Sequence, residues 1–101
     1  MAYPFACKSS GLKSSSAAIA TIPASGKGLR VWGLSVEADG TNPATAILYD
    51  STAASGTEVA KVIVDATLTH EADFFPVPVA CATGLYLALS GTGAKAIVYY
   101  E

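Results

Sequence analysis

The chain carries one imidazole, His70, in the run Thr69-His70-Glu71-Ala72-Asp73. An imidazole and two carboxylates this close in sequence are a donor set for a divalent cation, or an acid and a base. Within one short loop they read better as solvated polar side chains than as a site. Ten serines allow a Ser/His/Asp triad on paper, but no strand–nucleophile–helix elbow is present to activate one. Asp39-Gly40-Thr41-Asn42 offers oxygen ligands without the twelve-residue spacing of a calcium loop, so Asp39 and Asn42 read as Asx-turn caps. Gly26-Lys27-Gly28 resembles a fragment of a phosphate loop, but the serial glycines and the following helix are missing, and it reads as a turn. Cys7 and Cys81 form no CxxC pair. They read as two reduced, partly buried thiols, with a disulfide tying the N-terminal arm to a late strand as the other reading. These residues predict no catalytic residue, no metal and no cofactor.

The aromatics say more. Tyr49, Tyr86, Tyr99 and Tyr100 fall within strand-like segments, and Phe74 and Phe75 begin one. Neighbours on a strand point to opposite faces. One of Tyr99 and Tyr100, and one of Phe74 and Phe75, must therefore leave the core. Such a ring is covered by the arm, anchors a protein partner, or stacks on a sugar. The candidate interface residues are Tyr3, Phe5, Trp32, Phe74, Tyr86, Tyr99 and Tyr100.

The elements that must carry these rings are short. The 101 residues suffice for one domain and are too few for a TIM barrel or a full dinucleotide-binding fold. Six basic and eight acidic residues give a net charge of -2, and only 14% of residues are charged, against the usual quarter. That balance, with basic residues few and scattered, excludes a nucleic-acid binder. Hydrophobic residues reach 51%, but nineteen are alanine, so core mass rests on eight Leu, eight Val, five Ile and a few aromatics. A thin core and a low charge both favour oligomerisation. No run approaches the ~20 apolar residues of a membrane span. The start MAYPFACKSS lacks the basic and apolar regions of a signal peptide, which predicts synthesis in the cytosol.

Residues 1–16 read as an arm anchored by Tyr3, Phe5 and Leu12, and residues 17–101 as one domain. Strand patterns fall at 17–22, 28–37, 44–50, 58–64, 74–80, 84–90 and 94–100, separated by turns rich in Gly, Pro, Asn, Asp and Ser. A further short strand fits at 66–69, inside a loop over 65–73. Pro76 and Pro78 cannot donate ladder bonds, which makes 74–80 an edge strand or an edge-facing segment. Gly33, in mid-strand, marks a bulge or the close approach of a neighbouring side chain. Simple alternation puts Trp32, Leu34 and Val36 on one face and Leu29, Val31, Gly33 and Ser35 on the other. The expected core is Trp32, Leu34, Val36, Leu48, Ile63, Leu85, Leu87, Leu89 and Ile97. Seven or eight short strands without a helical period predict an all-β fold: a small antiparallel β-sandwich or jelly roll.

Three stretches carry a resemblance: GLRVWGLSV over 28–36, ATAILYDSTAASGT over 44–57 and GLYLALSGTGAKAIVYY over 84–100. They resemble a loose group of small tailed-phage virion proteins, over roughly residues 28–100. The shared motifs are structural, with Leu48, Tyr49 and Asp50 leading into the Ser55-Gly56-Thr57 turn. The resemblance implies a non-enzymatic virion protein. Its first expected role is a capsid decoration or cement protein bound at subunit junctions, a homo-oligomer such as a trimer, with major capsid or other virion proteins as partners. A neck, collar or tail-fibre attachment protein is the alternative among structural roles, and a carbohydrate-binding module on the virion surface is the rival class. Neither nucleic acid nor a membrane is an expected partner.

Overall fold

The computed structural model describes residues 8–21, 28–67 and 70–101. Eight strands run along them: β1 (Lys8–Ser9), β2 (Ala17–Thr21), β3 (Leu29–Glu37), β4 (Ala44–Asp50), β5 (Thr57–Val64), β6 (His70–Cys81), β7 (Gly84–Ser90) and β8 (Lys95–Tyr100). They form two four-stranded antiparallel sheets, ordered β1-β8-β3-β6 and β2-β7-β4-β5. Only β4 and β5 are consecutive neighbours, and every other connection crosses between the sheets. The stretch read as an arm supplies β1, and Lys13 bridges Ala96 beyond it. Tyr3, Phe5 and Cys7 lie outside the described residues, as do Gly26 and Lys27 and part of the candidate strand at 66–69.

The core lies between the sheets. Leu29, Val31, Leu34 and Val36 of β3, Ala96 and Val98 of β8 and Cys81 of β6 meet Ala44, Ala46 and Leu48 of β4, Val62 and Val64 of β5 and Leu85 and Leu87 of β7. Each buried Leu or Val removes about 1.5–3 kcal/mol worth of apolar surface from water. The alanines contribute less, but they let the two layers approach.

Three details, in β3, β5 and β8, correct the expected faces. Register shifts between Val31 and Gly33, so the inward set is Leu29, Val31, Leu34 and Val36, and Trp32 leaves the core. A second shift, opposite Leu48 and Tyr49, puts Ala60, Val62 and Val64 inward and leaves Ile63 58% exposed. Ile97, in the row of Ser35, faces outward and is half-buried. Leu12 is exposed rather than an anchor. The strand at 74–80 is longer than expected and begins at His70, because residues 70–74 pair with β3 one for one. Its place is the edge that the prolines required. The register passes from Phe74 opposite Gly33 to Val79 opposite Val31, so Phe75–Pro78 stands outside the ladder. Gly91, with φ +112, closes the turn after β7, where a Cβ would lie 2.2 Å from the Pro43 carbonyl oxygen.

Candidate functional site

The outer face of the first sheet is where the rings gather. Gly33 stands opposite Phe74 on one side and Tyr99 on the other. The Phe74 ring occupies the space a Cβ on Gly33 would need: Cδ1 would be 2.3 Å away and Cε1 2.8 Å. A glycine here is thus the condition for the ring to lie on the sheet. Phe74 remains 59% exposed, and its centroid is 5.3 Å from that of Tyr99, the planes tilted by 44°. That spacing and tilt are within the range of favourable aromatic pairs.

The next row is Ala72, Ser35 and Ile97, and the one after it His70, Glu37 and Lys95. Two rows across three strands therefore carry no charge, and a polar end follows them. Ser35 Oγ and His70 Nε2 are 2.9 Å apart and tie the polar end together.

Trp32 borders this surface within β3, held rather than loose. Its Nε1–H donates to Glu101 Oε2 at 2.9 Å, while Arg30 Nη2 donates to Glu101 Oε1. Arg30 and Glu101 also exchange backbone hydrogen bonds of 2.9 and 2.7 Å.

Of the seven expected interface residues, the fold brings three to this face: Trp32, Phe74 and Tyr99. Tyr100 turns inward and packs against the core. Tyr86 sits on the outer side of the second sheet, opposite Tyr49. Tyr3 and Phe5 are outside the described residues. The Ser35–His70 pair had no signal in sequence, since the two are 35 positions apart and meet only through β3–β6 register.

The other polar groups build structure. Alternation puts His70 opposite Glu37, but Glu71 and Asp73 opposite Val36 and Leu34, so the three do not converge on one point. Among the described residues no cluster of three His, Cys, Asp or Glu side chains is placed to hold a metal ion. Asp39 accepts from the backbone N–H of Thr41 and Asn42 and from Asn42 Nδ2, the expected Asx-turn, and these bonds hold its carboxyl below the ordinary range. Asp50, the last residue of β4, reaches across to the β6–β7 turn. It accepts from the backbone N–H groups of Ala82, Thr83 and Gly84 at 3.0, 2.7 and 3.2 Å. Burial opposes its charge, yet the three donors together outweigh burial and lower its pKa. Beside it, Cys81 is buried. Desolvation first, then the Asp50 charge, push its thiol up to about 11. Such a thiol is a poor nucleophile.

No family model matches the chain, and neither a curated protein nor a solved structure matches it.

Proposed function

We propose that this chain is a non-catalytic structural module that works by packing against other proteins in an assembled particle, in the first place as a capsid decoration or cement protein of a phage virion. The observation that carries the docking reading is the exposed Phe74 ring seated on Gly33 beside Tyr99, on a face whose two central rows bear no charge. An aromatic anchor on a flat, weakly charged surface is the usual centre of a protein–protein contact. Location on a virion rests on the sequence resemblance over 28–100. The strand order β1-β8-β3-β6 against β2-β7-β4-β5 supports a jelly-roll reading of the sandwich, an architecture common in capsid and lectin domains. The mechanism is linkage: a protein that binds only the intact shell stabilises it. The candidate contacts are Phe74, Tyr99, Ile97 and the neighbouring Trp32.

The test is occupancy on particles. Particles assembled with Phe74→Ser or Ile97→Asp chains are expected to carry few copies, with circular dichroism showing the fold intact. Unchanged occupancy by both variants overturns the docking surface. Quantitative gels on unaltered particles then separate the locations: hundreds of copies mean shell decoration, and about a dozen mean neck, collar or fibre base.

A carbohydrate-binding role is the second reading. It is favoured by the Ser35–His70 pair, Ser35 one row and His70 two rows along the sheet from Phe74, which gives a stacking ring and hydrogen-bonding groups on one face. Glycan binding that Phe74→Ala abolishes supports it; a glycan array blank for the folded chain overturns it.

A further inference from the structure

The four outer strands of the sandwich differ in how they meet another chain. β1 has two residues. β2 has five and is irregular between Ala18 and Ala20. β6 carries Pro76 and Pro78 and turns Glu71 and Asp73 toward the inner side of its sheet. Short strands, bulges, prolines, edge lysines and inward charges are means by which proteins blunt an exposed edge. β5 has its bulge before Ala60, and over Ala60–Val64 the outward Lys61 is its one such device, a charge that needs an opposite charge across any contact made there. The strand follows β4 residue for residue there, has neither Gly nor Pro, and is rich in β-branched side chains. Among the described residues only β4 pairs with it. Its other side borders an open cleft of about 250 Å³ lined by Lys61, Val62, Ile63, Glu71, Ala72 and Asp73. Ile63, on the outward side, is 58% exposed.

We propose that β5 is a self-association edge: two copies pair their β5 strands antiparallel about a two-fold axis at Ile63, joining two second sheets into one of eight strands. A two-fold contact must be complementary to itself. Residues of the same face must also stand opposite one another, so the axis falls on a residue and not between two. An axis at Lys61 sets Lys61 against the partner's Lys61, a like-charge clash. An axis at Val62 sets Lys61 against the partner's Ile63 and pairs no charge. An axis at Ile63 sets Ile63 against the partner's Ile63, Val62 against the partner's Val64, and Lys61 against the partner's Asp65, which lies one residue past the strand with its Oδ1 accepting from Thr67 and its second oxygen left for the lysine, twice by symmetry. This last register covers the exposed isoleucine and pairs both charges. Opposite-charge and β-branched cross-strand pairs are the stabilising units of a sheet. The contact uses the second sheet and stands whether or not the first sheet binds a particle.

Sedimentation of the full chain across a concentration series is the test. The chain is expected to form dimers. Lys61→Glu and Asp65→Lys each set like charges opposite and are expected to weaken association at least about tenfold, while the double swap restores it. In a Cys7→Ser background, Ile63→Cys is expected to oxidise to a covalent dimer, since directly opposed residues lie within the roughly 4.4–6.8 Å Cα range of a disulfide. Lys61→Cys is expected not to cross-link. A monomer at all concentrations, a trimer, association indifferent to both single reversals, or cross-linking through Lys61→Cys instead of Ile63→Cys each overturns the proposal.

Discussion

The Phe74 ring stands where Gly33 has no side chain, with Cδ1 2.3 Å from the position a Cβ would take. The surface and the bulge in β3 therefore depend on the same residue. Gly33→Ala is expected to destabilise the fold by about 1–3 kcal/mol, because the ring must leave and the Asp73 carbonyl oxygen, at 2.9 Å, must give as well. For a domain of this size each kcal/mol lowers Tm by roughly 4–8 °C. Phe74→Ala made in the Gly33→Ala chain is expected to cost less than in the parent, since the clash is already relieved. Thermal melts of the four chains of this cycle check it; strict additivity would show that ring and glycine are independent.

Asp50 makes a second long-range dependence. Its carboxylate holds the β6–β7 turn by three backbone donors, and its folded pKa lies below the roughly 3.9 of an unfolded aspartate. The sign follows from linkage. A depressed folded pKa means the unfolded chain binds the proton more tightly. The stabilisation is then present above about pH 4 and is lost as pH falls through the folded value. Asp50→Asn is expected to lose about 1–3 kcal/mol at pH 7. The gap between the two chains should close in acid. Urea melts at intervals from neutral pH down to about pH 2 measure both; a gap constant with pH would assign the loss to packing alone.

Much of the fold was legible because its strands obey simple periodicity. Ala44–Asp50 and Gly84–Ser90 coincide with their sequence patterns, and Leu48, Leu85 and Leu87 are buried as alternation requires. Ile97 faces outward simply because Ala96 and Val98 take the inner face of β8, whereas Trp32 and Ile63 share another cause. Trp32 and Ile63 were placed inward by carrying a period of two across a register shift, and a bulge resets the phase of every residue beyond it. Gly33 was the visible signal in β3; β5 has none, since its shift lies among Glu58, Val59 and Ala60. His70 looked like part of a loop because strand pairing, not local sequence, extends β6 to it. The site was legible only as a choice of rings. Which of Tyr99 and Tyr100 faces out depends on β8 register, and the Asp50 and Ser35–His70 contacts depend on pairing between distant strands.

Cys81 gives a chemical test of burial. With its thiol pushed up to about 11, only about one molecule in a thousand carries the thiolate at pH 8. In a Cys7→Ser chain, Cys81 is expected to resist thiol reagents until the protein opens, with rates that rise on adding denaturant. Labelling of the native chain as fast as a free thiol would show that the Asp50 end of the sandwich is open.

Trp32 is the sole tryptophan, so its emission reports one place in the fold. Its indole N–H is given to Glu101, which also holds Arg30. Glu101→Ala removes both bonds, whereas Glu101→Gln keeps an acceptor for the indole and removes only the charge. The ion pair is more than half exposed on the arginine side, so screening limits it to less than about 1 kcal/mol. The part-buried indole bond is worth about 1 kcal/mol. Glu101→Ala is therefore expected to shift the emission and destabilise the chain by about 1–2 kcal/mol, and Glu101→Gln to leave the emission nearly in place at a smaller cost. Added salt should narrow the difference between the parent and Glu101→Gln without touching that between Glu101→Gln and Glu101→Ala. An equal emission shift in both variants would mean that the charge, not the hydrogen bond, fixes the indole. If the neighbouring face docks a partner, the same emission in the parent chain should respond when that partner is added.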